Sequence, residues 1–434
     1  MAFLQLKSTN PKLSYLIRKN PSSGLFAREF RQGVVFGYFS PQDELTYNVY
    51  FRDSFTALSY PEYKGQEFEY VNATRYNSAQ FVLNGLNEVF RDAFKKRDED
   101  LDPDDTYTTE LIINMMKLGG SSRIVEAFKF HFSSMCSFEM EEVAHKSYRI
   151  KISTTKSLFY LLNLTNLFAA FNVLRNKTEY FHLDEGSISK YFSAMYVIDA
   201  PYFIRYHFKV NLLRGNKIFK QYKPLLEKSE HYPIEMVFGD AARMRRDAVE
   251  AQLNFSNHIV DIGCGEGMYA LALNRRMLKG NKYYAIDTDE SCRNSVFKKI
   301  RIKKLINVVV LDSIDSFLKE TLDDKGTKID FILAEIIEHM SLEEATELVT
   351  LCLKHERCNS IILTTPNREF NQFFFDECEK NLRHPDHQFE FTSAEFNEWL
   401  GTLSASIKRI DIGDKVEGIP MTFGAVLSPH NEWK

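Results

Sequence analysis

Short runs of aromatic and β-branched residues mark the first half of the chain: Val34-Val-Phe-Gly-Tyr-Phe39, Tyr47-Asn-Val-Tyr-Phe51 and Tyr148-Arg-Ile-Lys-Ile-Ser153. The last two alternate in character and predict strands. Between them, apolar residues at three-and-four spacing from Ser78 to Lys96 predict an amphipathic helix. Ser157 to Phe171 is apolar almost throughout, and its modest length and asparagines predict a buried helix rather than a membrane span. The texture changes at Glu227 to Pro233, a polar stretch that closes on a proline. The domain boundary is placed there, with residues 1–230 in one domain and 231–434 in the other. After a helical segment at Asp240–Leu253, strand and helix patterns alternate to the C-terminus, which predicts a parallel sheet covered on both faces. The expected architecture is a doubly wound, Rossmann-like α/β domain preceded by an α+β domain.

Bulk properties narrow the picture. A chain of 434 residues exceeds what one hydrophobic core organises. A net charge of −4 argues against a protein dominated by nonspecific nucleic-acid binding, though it leaves room for a local basic groove. The charge run Lys95-Lys-Arg-Asp-Glu-Asp-Leu-Asp-Pro-Asp-Asp105 is expected to be a solvated loop. Six scattered cysteines without a C-x-x-C pair, and a start without the pattern of a signal peptide, lead to the expectation of a reduced, cytoplasmic protein.

The second half carries the chemistry. The short apolar strand His258-Ile-Val-Asp261-Ile262 runs into Gly263-Cys-Gly265-Glu-Gly267, and a helix pattern from Met268 to Leu278 follows at once. Glycines let the chain turn sharply and let its backbone approach a ligand closely. Met268 stands where a dinucleotide fingerprint would carry its third glycine, which favours the nucleoside site of an S-adenosylmethionine-dependent methyltransferase. A second strand ends at Asp287, where an acid can accept hydrogen bonds from ribose hydroxyls. A third ends at Asp312-Ser313, the place where methyltransferases usually contact adenine. Asp261, Gly263, Gly265, Gly267, Asp287, Asp312 and Ser313 form the candidate cofactor set.

A fourth strand, Ile329 to Ala334, delivers Glu335-Ile-Ile-Glu338-His339 at its carboxyl end, where open α/β sheets bind ligands. A helical turn beginning there would put Glu335, Glu338 and His339 on one face. Two readings fit. The cluster holds a cation, or its glutamates are solvated residues favoured by a helix start. A fifth strand ends in Thr364-Thr365-Pro366-Asn367, also aimed at the cleft, and Arg383-His384-Pro-Asp-His387-Gln-Phe-Glu390 precedes a capping box at Thr392–Glu395. Mixed carboxylate and imidazole donors suit manganese or magnesium better than structural zinc.

Three motifs, Glu335-Ile-Ile-Glu-His-Met340, Thr364-Thr-Pro-Asn-Arg-Glu-Phe-Asn371 and His384-Pro-Asp-His-Gln-Phe-Glu390, resemble in order and spacing those of the HUA-enhancer-type RNA 3′-terminal 2′-O-methyltransferases. Gly418 to Leu427 is similar to that family's last strand. Tyr70 to Asn77 and Val197 to Phe203, leading to Leu212-Leu-Arg-Gly215, resemble the N-terminal domain of its bacterial members. The family's Trp after Phe-Glu, then Thr-Arg, is replaced here by Phe391 and Thr392-Ser393.

The resemblance implies a catalytic and metal-binding set of Glu335, Glu338, His339 and His387, with manganese or a similar ion. His387 is preferred to His384 as the histidine directly before the x-F-E signature. The resemblance also implies methylation of the 2′-hydroxyl at an RNA end with free 2′ and 3′ hydroxyls. Arg245, Thr365 and Asn367 are the expected RNA contacts, and the lysine run Lys298–Lys304 reads as a phosphate contact or a solvated helix face. Bacterial members work beside a polynucleotide kinase-phosphatase and an RNA ligase, which assigns the N-terminal half a docking or regulatory role and gives no part to a membrane. The competing readings are a metal-free methyltransferase of small molecules or proteins, and a scaffold subunit.

Overall fold

The computed structural model describes residues 1–54, 77–119, 122–175, 185–321, 326–374 and 382–430. Tyr70 to Tyr76, from the N-terminal resemblance, and Cys378 lie outside them. The chain divides into two compact units, Met1–His231 and Tyr232–Lys434.

The first unit is built on a seven-stranded antiparallel sheet, in the order β2-β3-β4-β1-β5-β7-β6. Its strands are β1 (Ala2–Ser8), β2 (Phe26–Phe30), β3 (Gly33–Ser40), β4 (Asp43–Asp53), β5 (Thr109–Lys117), β6 (Cys136–Ala144) and β7 (Ser147–Thr154). All three aromatic runs singled out in the sequence are strands. The amphipathic segment forms helix α1 (Ala79–Val89), capped by the Ser78 side chain. It ends at Phe90, short of the Lys96 expected from periodicity. Five further helices follow: α2 (Ser122–Phe132), α3 (Leu158–Arg175), α4 (Glu185–Val197), α5 (Tyr202–Leu212) and α6 (Asn216–Glu227).

Helix α3 is apolar on every side because it is enclosed on every side. Among the described residues it is the one helix long and apolar enough to cross a membrane, and 83% of it is buried inside the protein. Its buried asparagines are all accommodated. Asn166 accepts from Asn87, Asn163 donates to the Phe159 carbonyl, and Asn172 accepts from Gly119 N while donating to the Lys117 carbonyl. The charge run 95–105 departs from expectation at Asp102, which is 3% exposed. Its carboxylate accepts from Leu158 N at 2.5 Å and from Asn10 Nδ2 at 3.3 Å, so it caps α3 instead of meeting solvent.

Arg205 on α5 is the largest fully buried side chain among the described residues. Its guanidinium donates to the carbonyls of Ala200, Leu226 and Lys228 and to the Asp199 carboxylate, tying together the ends of α4 and α6.

The second unit is the expected doubly wound α/β domain, with sheet order β11-β10-β9-β12-β13-β15-β14-β8. Strands β9 (His258–Ile262), β10 (Tyr283–Ile286), β11 (Val308–Leu311), β12 (Ile329–Ala334) and β13 (Cys358–Pro366) run parallel. Strand β15 (Ile419–Pro429) inserts antiparallel between β13 and β14 (Ala405–Val416), and β8 (Ile234–Glu235) closes the edge. The helices are α7 (Ala241–Glu250), α8 (Met268–Leu273), α9 (Glu290–Lys303), α10 (Ile314–Glu320), α11 (Leu342–Lys354) and α12 (Ser393–Gly401).

Both sheet faces are covered, and successive residues serve opposite cores. Val260, Tyr284, Phe331 and Ile361 pack on one side, and Ile259, Tyr283, Ile332 and Ile362 on the other. This is why the central strands read as continuous apolar runs rather than alternating ones. Strand order reverses at β9, flanked by β10 and β12, and a crevice is expected at the carboxyl ends of such strands.

Replacing Arg205 by Ala removes the donor that these buried and partly buried acceptors share, and should cost about 3 kcal/mol or more. Denaturant unfolding of the full chain measures it.

Candidate active site

The glycine loop follows β9 at the reversal point. Gly263, Gly265 and Gly267 all have positive φ, of 72°, 50° and 79°. A Cβ on Gly263 would stand 2.1 Å from Ile336 Cδ1, so this position tolerates no side chain. Around Gly265, by contrast, a Cβ would meet nothing within 4 Å. This is the open side of the loop, where a ligand can reach the backbone. Asp287 frames that space: its Oδ2 accepts from Gly265 N at 2.7 Å and its Oδ1 from Asp289 N at 2.9 Å. At the tip of β11, Asp312 accepts from the hydroxyls of Ser313 and Ser316, and Ser313 caps α10.

Asp261, expected among the cofactor contacts, faces elsewhere. It is 1% exposed and its Oδ2 accepts from the Tyr283 hydroxyl at 2.6 Å. Burial pushes its carboxyl up to about 7, partly offset by that hydrogen bond.

The acidic motif is not a helical face. Glu335 ends β12 with φ 55°, in the left-handed region, and only Ile337–His339 form a 3-10 turn. The i, i+3, i+4 expectation fails because the chain must break from β12 before it can coil. The break nevertheless turns Glu338 inward, where it is 0% exposed, and leaves His339 outward. Glu338 Oε2 accepts from the Thr365 hydroxyl at 3.2 Å, and its Oε1 is buried with no hydrogen-bond partner. Burial, reinforced by the charge of Glu335, drives the Glu338 carboxyl well above the ordinary range.

His387 approaches from the loop between β13 and α12. Donor atoms of Glu338, His339 and His387 all lie within 4.8 Å of one another, a group able to hold a metal ion. The rings of His339 and His387 are 4.8 Å apart and nearly perpendicular. His384 stays at the rim, its side chain 55% exposed and paired with Asp386. Glu335 stands beside this group rather than in it: its carboxylate accepts from Thr364 Oγ1 at 3.3 Å and pairs with Arg245 Nη1 at 3.3 Å. Arg245, expected to meet RNA phosphate, is thus occupied by an acid of the motif.

Two supports went unassigned in the sequence. His387 Nδ1 lies 2.5 Å from Glu390 Oε1. Burial works against the Glu390 carboxylate, but hydrogen bonds from His387, Asn371 and Arg383 N outweigh it and hold it below its usual range. An ionised Glu390 accepts a hydrogen bond from Nδ1–H, which keeps the proton on that nitrogen and leaves the Nε2 lone pair free for a ligand. Gln388 is the second: its backbone N donates to Glu338 O at 2.7 Å and its Nε2 to His339 O at 3.1 Å, binding the two donor segments together. The signal for Glu390 was its i+3 spacing from His387; Gln388 had none.

The remaining expected RNA contacts are corrected here. Thr365 and Asn367 are each 0% exposed. Thr365 is turned toward Glu338, and Asn367 donates to Pro420 O and accepts from Glu369 N, capping a 3-10 turn. Both are enclosed by the surrounding chain, with the polar groups of their side chains engaged inside the protein.

The family model described as the Hen1 N-terminal domain matches residues 3–231. The chain belongs to the Hen1 family. The resemblance carried by the three motifs therefore holds at the level of the family. Among curated relatives, the small RNA 2′-O-methyltransferase of Caenorhabditis elegans is 35% identical over 103 residues, covering 24% of this Hen1-family chain and 23% of that protein. That of Xenopus tropicalis is 38% identical over 65 residues, covering 15% and 17%. The matched segments span less than a quarter of those relatives' length. A chain of the solved Pnkp1/Rnl/Hen1 complex is similar across 99% of this chain and 100% of its own, with 25% identity and a TM-score of 0.79.

The raised carboxyl of Asp261 sets a pH dependence. A group whose folded value lies above its unfolded value of about 3.9 stabilises most below the latter, and this contribution is lost as pH rises through about 7. Asp261→Asn should therefore lose less thermal stability than the natural protein between pH 5 and pH 8, read as the difference in Tm.

Proposed function

We propose that this chain transfers a methyl group from S-adenosylmethionine to the 2′-hydroxyl of the 3′-terminal nucleotide of cleaved RNA. The observation that carries the reading is the convergence of Glu338, His339 and His387 beside a glycine loop at the topological switch point, in a Hen1-family chain. The relatives named above act on small RNA at the same atom, and the match to a chain of an RNA repair complex spans nearly all of this one. On that ground the chain works beside polynucleotide kinase-phosphatase and RNA ligase subunits, with residues 1–231 as the docking unit. The cytoplasmic location rests instead on the scattered cysteines of the sequence.

The residues fit a divalent cation. Glu338 carries a buried oxygen with no partner, a costly arrangement that a cation relieves. One carboxylate and two imidazoles, with Glu335 as the fourth donor, suit manganese or magnesium rather than a thiolate-held zinc. When bound, the ion would engage the vicinal hydroxyls of the terminal ribose and lower the pKa of the 2′-OH. The chain's own part is orientation. Glu390 fixes the tautomer of His387, Thr365 fixes one oxygen of Glu338, and Gln388 holds the two segments in register. For the cofactor, Gly265 offers open backbone and Asp287 a carboxylate for the ribose hydroxyls, while the tip at Asp312-Ser313 borders the adenine. Methyl transfer needs the 2′-oxygen in line with the sulfonium methyl, so positioning supplies much of the rate.

Labelled methyl transfer to short RNAs tests the reading. RNA ending in a 2′,3′-diol should accept the methyl in the presence of manganese, and RNA ending in a 3′-phosphate or a 2′-deoxyribose should be poor. Activity indifferent to chelator would favour a metal-free methyltransferase instead. Glu390→Gln, which removes the charge behind His387, should weaken manganese binding by roughly 10–100-fold, measured by calorimetry.

A further inference from the structure

Three of the four acidic and imidazole donors form one group, and the fourth is held away from it. Glu335 adjoins Glu338 closely enough for its charge to act there, yet its carboxylate is taken by Arg245 and Thr364. Its backbone has little freedom to change this. The left-handed φ and the hydrogen bond from Glu335 N to Thr364 O at 3.0 Å pin the main chain, so the side-chain rotamer alone decides where the carboxylate lies. The ion pair itself is built to exchange. It is drawn through one guanidinium nitrogen at 3.3 Å, longer than a close charge-assisted hydrogen bond, and both side chains are about one fifth exposed.

Arg245 is also a poor neighbour for a divalent ion. A guanidinium one carboxylate away from such an ion meets strong repulsion in a partly desolvated cleft. The repulsion falls if an anion other than Glu335 neutralises the arginine. A second observation points the same way: the Tyr269 hydroxyl, just past the glycine loop, is buried with no hydrogen-bond partner among the described residues, within reach of the charges of Asp261, Arg245 and Glu335.

We propose that Arg245 is a positioning residue that keeps Glu335 out of the metal group until an oxyanion of the cofactor or of the RNA takes its guanidinium. The proposal rests on the metal reading above. It makes ion binding and ligand binding reciprocal: whatever anion engages Arg245 tightens the ion, and the ion tightens that anion. A site of this kind holds its metal more tightly when a methyl donor or an RNA strand is present.

The test is manganese affinity of the full chain, by calorimetry or by the electron paramagnetic resonance of the free ion. Four conditions are compared: no ligand, S-adenosylhomocysteine, methylthioadenosine, and a short RNA whose terminal ribose lacks both hydroxyls. Methylthioadenosine keeps the nucleoside and lacks the carboxylate, and the RNA offers phosphates without a diol. In the natural protein, S-adenosylhomocysteine or the RNA should tighten manganese by about tenfold, within the usual range of coupling between sites, and methylthioadenosine should not. Which of the two acts identifies the oxyanion as carboxylate or phosphate. Arg245→Ala should bind manganese about tenfold more tightly without ligand and lose the response. Arg245→Lys, which keeps the charge without the planar fork, should respond partially, and it stands in if the alanine variant does not fold. Unchanged affinity and an intact response in these variants overturn the proposal while leaving the metal reading in place. A natural protein that binds no manganese in any condition sinks both.

Discussion

Glu338 is a carboxylate with no exposed surface and one oxygen without a hydrogen-bond partner among the described residues. A group of this kind is destabilising in isolation, and the surrounding structure is arranged to hold it there. Thr365 restrains one oxygen, the break at Glu335 turns the side chain inward, and Gln388 ties the His387 loop to the same turn. The β15 strand in turn fixes the end of β13, through Asn367 on Pro420 O and Arg383 on Met421 O. Apart from the break at Glu335, these contacts join residues distant in sequence around a single buried acid. The interior stores an electrostatic deficit that a cation can discharge.

Much of the second unit was legible because its signals are local. A parallel sheet buried on both faces leaves unbroken apolar strands, and glycines at positive φ leave a spacing that few other folds need. The capping box at Thr392–Glu395 was readable for the same reason and is present in full. The errors came where tertiary structure decides. Thr365 and Asn367 sit at the right end of the right strand, but partners distant in sequence, Glu338 and Pro420, engage them inside the protein. Periodicity placed Glu335 in a helical turn because it cannot register a left-handed residue between strand and turn. The role of Glu390 follows from an ion pair across three residues, which looks like any surface pair until its burial is known.

In the first unit the same division holds. The aromatic strands announce themselves, whereas the polar fastening of α3 does not. Asn163 and Asn166 marked the segment as a buried helix rather than a membrane span, and together with Asn172 they are donors and acceptors matched to neighbours, which no pattern announced. Asp102 belongs to a run whose charge reads as solvation, and burial converts it to a cap. Composition misleads here because a single residue in a charged segment is used differently from its neighbours.

The bracing of the donor loop by β15 has a consequence for how the site comes into being. All four donors are translated between Glu335 and His387, while the strand that locks β13 and the Arg383 loop begins at Ile419. A nascent chain thus exposes the complete donor set before it possesses the brace that orients it. The site is therefore complete only once the late strand has paired antiparallel between two strands made earlier.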